Sequence, residues 1–214
     1  MAEYQAPMAE NLRRSVGNVT YYVMHGKTFA RAKVAHVKKS DSPQQLRQRV
    51  IFGLLIQLSK VLLKTTRVSF PQRVNGRSSS NEFVHLNRNS VTVNDKFEAT
   101  INLEELKVSN GELAAYFKVN ATYNADTKKI IFEQEAPTVS DFNGAPDDIL
   151  YVTLLETKAN RSGLVTLRPR DESGSTSVQL PDWWEIGNCK AYLFALSKDG
   201  HLASSTQYLS VGTE

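Results

Sequence analysis

One stretch of this chain, Pro43 to about Lys64, carries apolar residues at helical spacing, and beyond residue 88 the chain breaks into short β-prone runs. Ser42 stands where an N-cap belongs, Pro43 occupies the first helical position, and Gln45 falls at the reciprocal capping position. Ile51, Leu54, Leu55, Leu58 and Leu62 form one stripe with a period of 3.6, widened by Phe52, Ile56 and Leu63. The first two turns are polar instead, with Gln44, Gln45, Arg47, Gln48 and Arg49. Such a helix anchors its C-terminal half and presents amide and guanidinium groups at its start.

Upstream, residues 1–15 read as a mobile arm. Asn18–Met24 and Thr28–Val34 are β-prone and flank His25-Gly26-Lys27, where Gly26 can take the positive φ of a tight turn. This predicts a β-hairpin with Phe29, Arg31 and Lys33 on one strand face. A polar connector containing Lys38 and Lys39 leads to the helix.

Downstream, Pro71–Ser80 reads as a loop, Asn81–Asn87 as a helical turn or short helix, and Ser90–Val93 as a strand. Leu103–Ser109 and Glu112–Tyr123 flank Asn110-Gly111, a hairpin signal. Further strands are predicted at Lys129–Gln134, Ile149–Thr157, Gly163–Leu167, Cys189–Ser197 and His201–Val211, with Arg168–Val178 as a mobile surface loop. Strands at this spacing imply a sandwich or barrel. The expected fold is α+β and mainly β. A flexible arm (1–15) leads into a hairpin with one long helix (16–70), attached to an antiparallel, immunoglobulin-like β-sandwich (71–214).

Charge follows the same division. Residues 1–77 hold 14 Lys and Arg against 3 Asp and Glu, whereas residues 78–214 hold 12 against 19. The lone cysteine, Cys189, excludes an intrachain disulfide and a thiolate metal cluster, and its place at the head of an apolar run suits a small buried residue. The first residues lack the apolar core of a secretory signal, and the longest apolar run, Val50–Ile56, is far too short for a membrane span. The chain reads as soluble, without membrane attachment.

No enzyme template fits. Phosphate-binding glycine loops, the H-E-x-x-H zinc motif and the G-x-S-x-G elbow are all absent from the sequence. His25, His36, His85 and His201 lie too far apart for metal-ligand spacing. Asp147-Asp148 and Glu104-Glu105 are adjacent pairs, which on a strand point to opposite faces and suit solvated charge better than paired acid–base work. Trp183-Trp184 could form a stacking platform, but one ring plugging a sandwich edge with the other half exposed is the plainer reading. The expectation is a non-enzyme with no catalytic residue, metal or cofactor.

The basic segment is the remaining candidate. Arg31 and Lys33, then Lys38, Lys39, Arg47 and Arg49, lie among Tyr21, Tyr22 and Phe29, a pattern able to track a phosphate backbone. No nucleic-acid motif accompanies it. Docking against the acidic part of the same or a neighbouring chain competes with that reading.

Several segments resemble a family of proteins of this length encoded by Bacteroidetes bacteria and their tailed phages. They are Val16-Gly17-Asn18-Val19 with Gly26-Lys27 and Arg31, Ser42-Pro43-x-Gln45-Leu46-x-Gln48-Arg49-x-x-Phe52, and Arg67-Val68-x-Phe70. Val108-Ser109-x-Gly111-x-Leu113, Leu180-Pro181 with Trp183-Trp184, and Tyr192-Leu193-Phe194 through Ser204-Ser205 to Tyr208-Leu209 continue the resemblance. It implies no enzymatic activity. It implies a virion structural or assembly subunit, in a tail, a head–tail connector ring or a capsid-associated layer, assembled in the host cytoplasm. Its partners would be further copies of itself and other virion proteins, with nucleic acid as the alternative. Gln45, Arg47, Gln48 and Arg49 are the expected polar contacts, and Arg31, Lys33, Lys38 and Lys39 the electrostatic ones. Ile51, Leu55, Leu58 and Leu62 are the expected apolar seam, buried across a subunit interface.

Overall fold

The computed structural model describes residues 2–3, 14–24, 26–34, 42–73, 76–115, 118–137 and 144–213. The chain divides into two compact units, residues 1–42 and 43–214. The sequence reading joined the hairpin and the long helix in one segment, 16–70, but the boundary falls just before Pro43 and the helix clusters with the β domain.

The first unit is a four-stranded sheet in the order β1-β4-β3-β2. Its strands are β1 (Ala2–Glu3), β2 (Arg14–Val16), β3 (Val19–Met24) and β4 (Lys27–Ala32). Gly26 has φ +76° and lets Met24 pair with Lys27 across the turn. The expected hairpin is therefore present. The arm differs from expectation, because Ala2–Glu3 and Arg14–Val16 pair as its flanking strands. Tyr22 and Phe29 stack across β3 and β4 with centroids 5.7 Å apart, and the Arg31 guanidinium lies 5.7 Å from the Tyr22 ring centre. None of this unit's described side chains is fully buried.

The second unit begins with α1 (Pro43–Val61), a turn at Leu62, and α2 (Leu63–Ser69). Leu62 N–H bonds to Leu58 and Thr66 N–H to Leu62, so the helical path runs five residues past the expected end. Thr65, Thr66, Val68 and Ser69 are poor helix formers, but packing overrides propensity here because Thr65, Thr66 and Ser69 are buried. Next comes α3 (Ser79–Asn87), capped by Ser78, whose hydroxyl accepts the Asn81 N–H. The short hairpin β5 (Val91–Val93) and β6 (Ala99–Ile101) follows.

Two four-stranded sheets make up the rest. β9 (Ile149–Glu156), β10 (Arg161–Pro169), β12 (Cys189–Leu196) and β13 (Gln207–Leu209) run in the order β10-β9-β12-β13. β7 (Lys118–Asn124), β8 (Lys129–Glu135), β11 (Gly174–Gln179) and β14 (Val211–Thr213) run in the order β11-β8-β7-β14. All pairs are antiparallel except β14 with β7.

The side-chain period of 2 explains why β9 and β12 read as unbroken apolar runs. Leu150, Val152 and Leu154 from β9, with Ala191, Leu193 and Ala195 from β12, join Val119, Ala121, Ile130 and Phe132 of the other sheet in one core. The alternate residues, Leu155 with Tyr192, Phe194 and Leu196, form a second core with Leu55, Leu62, Phe70 and Phe83 of the helical layer. The middle sheet is thus the shared wall of a helix–sheet–sheet stack. Withdrawing each such Leu or Phe from water contributes about 1.5–3 kcal/mol.

This arrangement corrects the expected subunit seam. Leu55 and Leu62 are fully buried inside their own chain, and Ile51 and Leu58 are partly buried against the same core. The buried part of the helix stripe belongs to a core of its own chain, where α1 lies against α3 and the β5–β6 hairpin.

Two further expectations fail. Residues 102–115 contain no strand and no hairpin at Asn110-Gly111. Gly111 is instead a point of close approach, since a Cβ there would lie 2.1 Å from the Ala203 carbonyl oxygen. Leu113 N–H donates to that same oxygen at 3.0 Å. The supposed loop 168–178 is the end of β10, a turn and β11, which crosses from one sheet to the other.

Candidate interaction surface

The polar start of α1 is exposed. Gln45, Arg47, Gln48 and Arg49 all face solvent on the first turns, and Arg47 reaches Asp95 at 3.0 Å in an exposed ion pair. Such a pair is worth little in stability. On the first unit, Arg31 and Lys33 are exposed beside the Tyr22–Phe29 stack. Lys38 and Lys39 lie outside the described residues, as do His25 and His36.

Between α1 and α3 runs a groove of about 340 Å³. Gln48, Ile51 and Phe52 line one side and Asn81, Val84 and His85 the other, with Arg77 and Arg88 at its ends. Phe52 is 55% exposed, the largest ring so displayed on this layer. Arg77 is held by Glu82 at 3.3 Å, a carboxylate that α3 buries. Gln48 and Ile51 were predicted as contact residues, whereas the α3 wall was not. Its signal was present in the sequence, because Asn81, Val84, His85 and Arg88 recur at the i, i+3, i+4, i+7 spacing of one helix face.

The charge division is sharper than the whole-chain halves suggested. Residues 43–90 carry 8 Lys and Arg against 1 Glu, and residues 91–214 carry 11 against 18. The helical layer is therefore a basic cover on an acidic sandwich. Amides, guanidinium groups and an aromatic ring in a shallow groove suit recognition of an acidic, partly apolar protein surface.

Other polar clusters are structural. Asp148 and Arg170 are buried as an ion pair at 3.4 Å, and Arg170 also donates to the Ala114 carbonyl at 2.9 Å. Burial pushes the Asp148 carboxyl above the ordinary carboxylate value, partly offset by the Ala145 N–H and the Arg170 charge. Both carboxylates of the Asp147-Asp148 pair were expected in solvent; Asp147 is exposed and meets Lys198 at 3.3 Å, whereas Asp148 is buried against Arg170. Cys189 is buried at the head of β12, and burial, helped by Glu156, pushes its thiol up to about 11. That is the chemistry of an inert thiol. Trp184 packs on the sandwich core while Trp183 is 58% exposed, in edge-to-face contact at 5.9 Å. Among the described residues no group of His, Cys, Asp or Glu gathers as metal ligands, and no helix is long and apolar enough to cross a membrane.

No curated protein and no solved structure gives a significant match. A family model does match, over residues 11–210, from the hairpin unit through to β13. The chain belongs to the family of unknown function DUF6266.

Proposed function

We propose that this chain is a non-enzymatic assembly subunit that works as a homo-oligomer within a phage virion. The tail, the head–tail connector ring or a capsid-associated layer would be its place, in phages of Bacteroidetes hosts, with the particle assembled in the host cytoplasm. The observation that carries the reading is the first unit. It is a four-stranded sheet with no buried side chain among its described residues, and Val16 on it is 67% exposed. A sheet of this size without a covered apolar face is not stable by itself and calls for a partner surface.

The second unit supports the same reading. Its sandwich would be of the immunoglobulin-like kind, and it carries a basic helical cover with a displayed Phe52 on an acidic remainder. A basic cover on an acidic remainder favours contacts between copies and with other virion proteins.

A second reading is binding of nucleic acid, favoured by the stacked Tyr22, Phe29 and Arg31 beside exposed Lys33. Sedimentation of the full chain with a labelled DNA duplex at two salt concentrations separates the two. Assembly of the protein without co-sedimenting DNA supports the subunit reading. A monomer that carries the DNA at low salt and releases it steeply at high salt would replace it.

A further inference from the structure

Edge strands expose a row of unsatisfied N–H and C=O groups, and proteins normally blunt them with charge, proline, a bulge or shortness. β11 has none of these protections. Its sequence, Gly174-Ser-Thr-Ser-Val-Gln179, carries no charge and no proline. It pairs with β8 through six consecutive residues without a register shift. Its other side has no strand, and no backbone group of 174–179 bonds to a loop among the described residues. The other edges differ. β10 begins at Arg161, ends at Arg168-Pro169 and shifts register near its end, and β13 and β14 are three residues each.

We propose that β11 pairs antiparallel with β11 of a second copy, joining two four-stranded sheets into one continuous sheet across a two-fold axis. This rests on the self-association reading and names the contact that would carry it. The occupant follows from charge. A two-fold contact sets each strand against itself, so any charge on it meets a like charge nearby, and β11 is the edge strand of five or more residues that has none.

Register follows from the two faces. Thr176 and Val178 are half-buried on the core side, whereas Ser175, Ser177 and Gln179 are exposed. A two-fold axis perpendicular to the sheet keeps each face on its own side, so the pairing centres on a residue rather than between two. Centring on Ser177 sets Thr176 opposite Val178, two β-branched side chains, and Ser175 opposite Gln179. Ser177 then faces its own copy.

Cysteine crosslinking of the full chain in a Cys189→Ser background tests this. Ser177→Cys should give an interchain disulfide on mild oxidation, because directly opposed residues lie within disulfide reach. Ser175→Cys, facing Gln179, should crosslink at least fivefold less; equal crosslinking at both sites would mean random collision and overturn the pairing. In parallel, Ser177→Lys should lower the solution mass to the next smaller assembly while leaving the far-ultraviolet circular dichroism spectrum of the folded chain unchanged. An oligomer that neither crosslinks at residue 177 nor changes mass with Ser177→Lys overturns the β11 contact and leaves self-association standing. A native chain that is monomeric overturns both.

Discussion

The hydroxyl of Thr65 on α2 lies 3.0 Å from that of Thr153 on β9, and both are buried where the helical layer meets the middle sheet. Each oxygen satisfies the other where water is excluded. Thr153→Val strands the Thr65 hydroxyl and should cost about 1–3 kcal/mol. Replacing both with Val removes the orphan and should return much of that loss. Urea unfolding of the two single variants and the double variant measures the coupling.

Arg170 and Asp148 make a second buried pair, but a charged one. Arg170→Met leaves the Asp148 carboxylate buried without its cation and should cost about 3–5 kcal/mol at neutral pH. The loss should shrink on acidification, because protonation removes the uncompensated charge. Adding Asp148→Asn should recover part of it at pH 7. Denaturant midpoints across pH provide the check.

Gly111→Ala tests the close approach of the 102–113 segment to Ala203. The added Cβ meets backbone rather than a flexible side-chain end, so the segment must move. Overpacking of this kind costs about 1–3 kcal/mol. A thermal melt unchanged from wild type would mean that Gly111 is only a turn residue.

The carboxylates should titrate in two directions. The Lys128 ammonium, by hydrogen bond first and charge second, holds Asp182 below the ordinary value of 3.8, and the Ser197 hydroxyl does so first for Asp199. Their stabilisation is complete above that value and is lost as pH falls through the lowered folded pKa. Asp148, raised chiefly by burial, runs the other way. Its contribution is full below 3.8 and is lost as pH rises through the raised folded pKa. Carbonyl NMR titration should place Asp182 and Asp199 below 3.8 and Asp148 above it.

The local features were legible because each is written in consecutive residues. Pro43, the Ile51–Leu62 stripe, Gly26 and the β9 and β12 runs all fall where the sequence implies. What lay hidden depends on distant partners. Nothing near Leu55 says that it shares a core with Phe83, Val91 and Tyr192 of the same chain, so an interface was inferred where a core exists. Ser175 and Ser177 look like loop residues because an edge strand exposed on one face needs few apolar side chains. Asn110-Gly111 mimics a hairpin turn, although its glycine serves a contact with residue 203. The groove was half legible, since the α1 wall was named from its capped start while the α3 wall needed the packing of α3 on α1.

The central claim is that this chain is built to meet copies of itself. Multi-angle light scattering of the purified full chain, over a range of protein concentrations, tests it most directly. The account predicts a defined mass of at least twice 23.9 kDa, in whole multiples of it. A mass of 23.9 kDa at every concentration would contradict it.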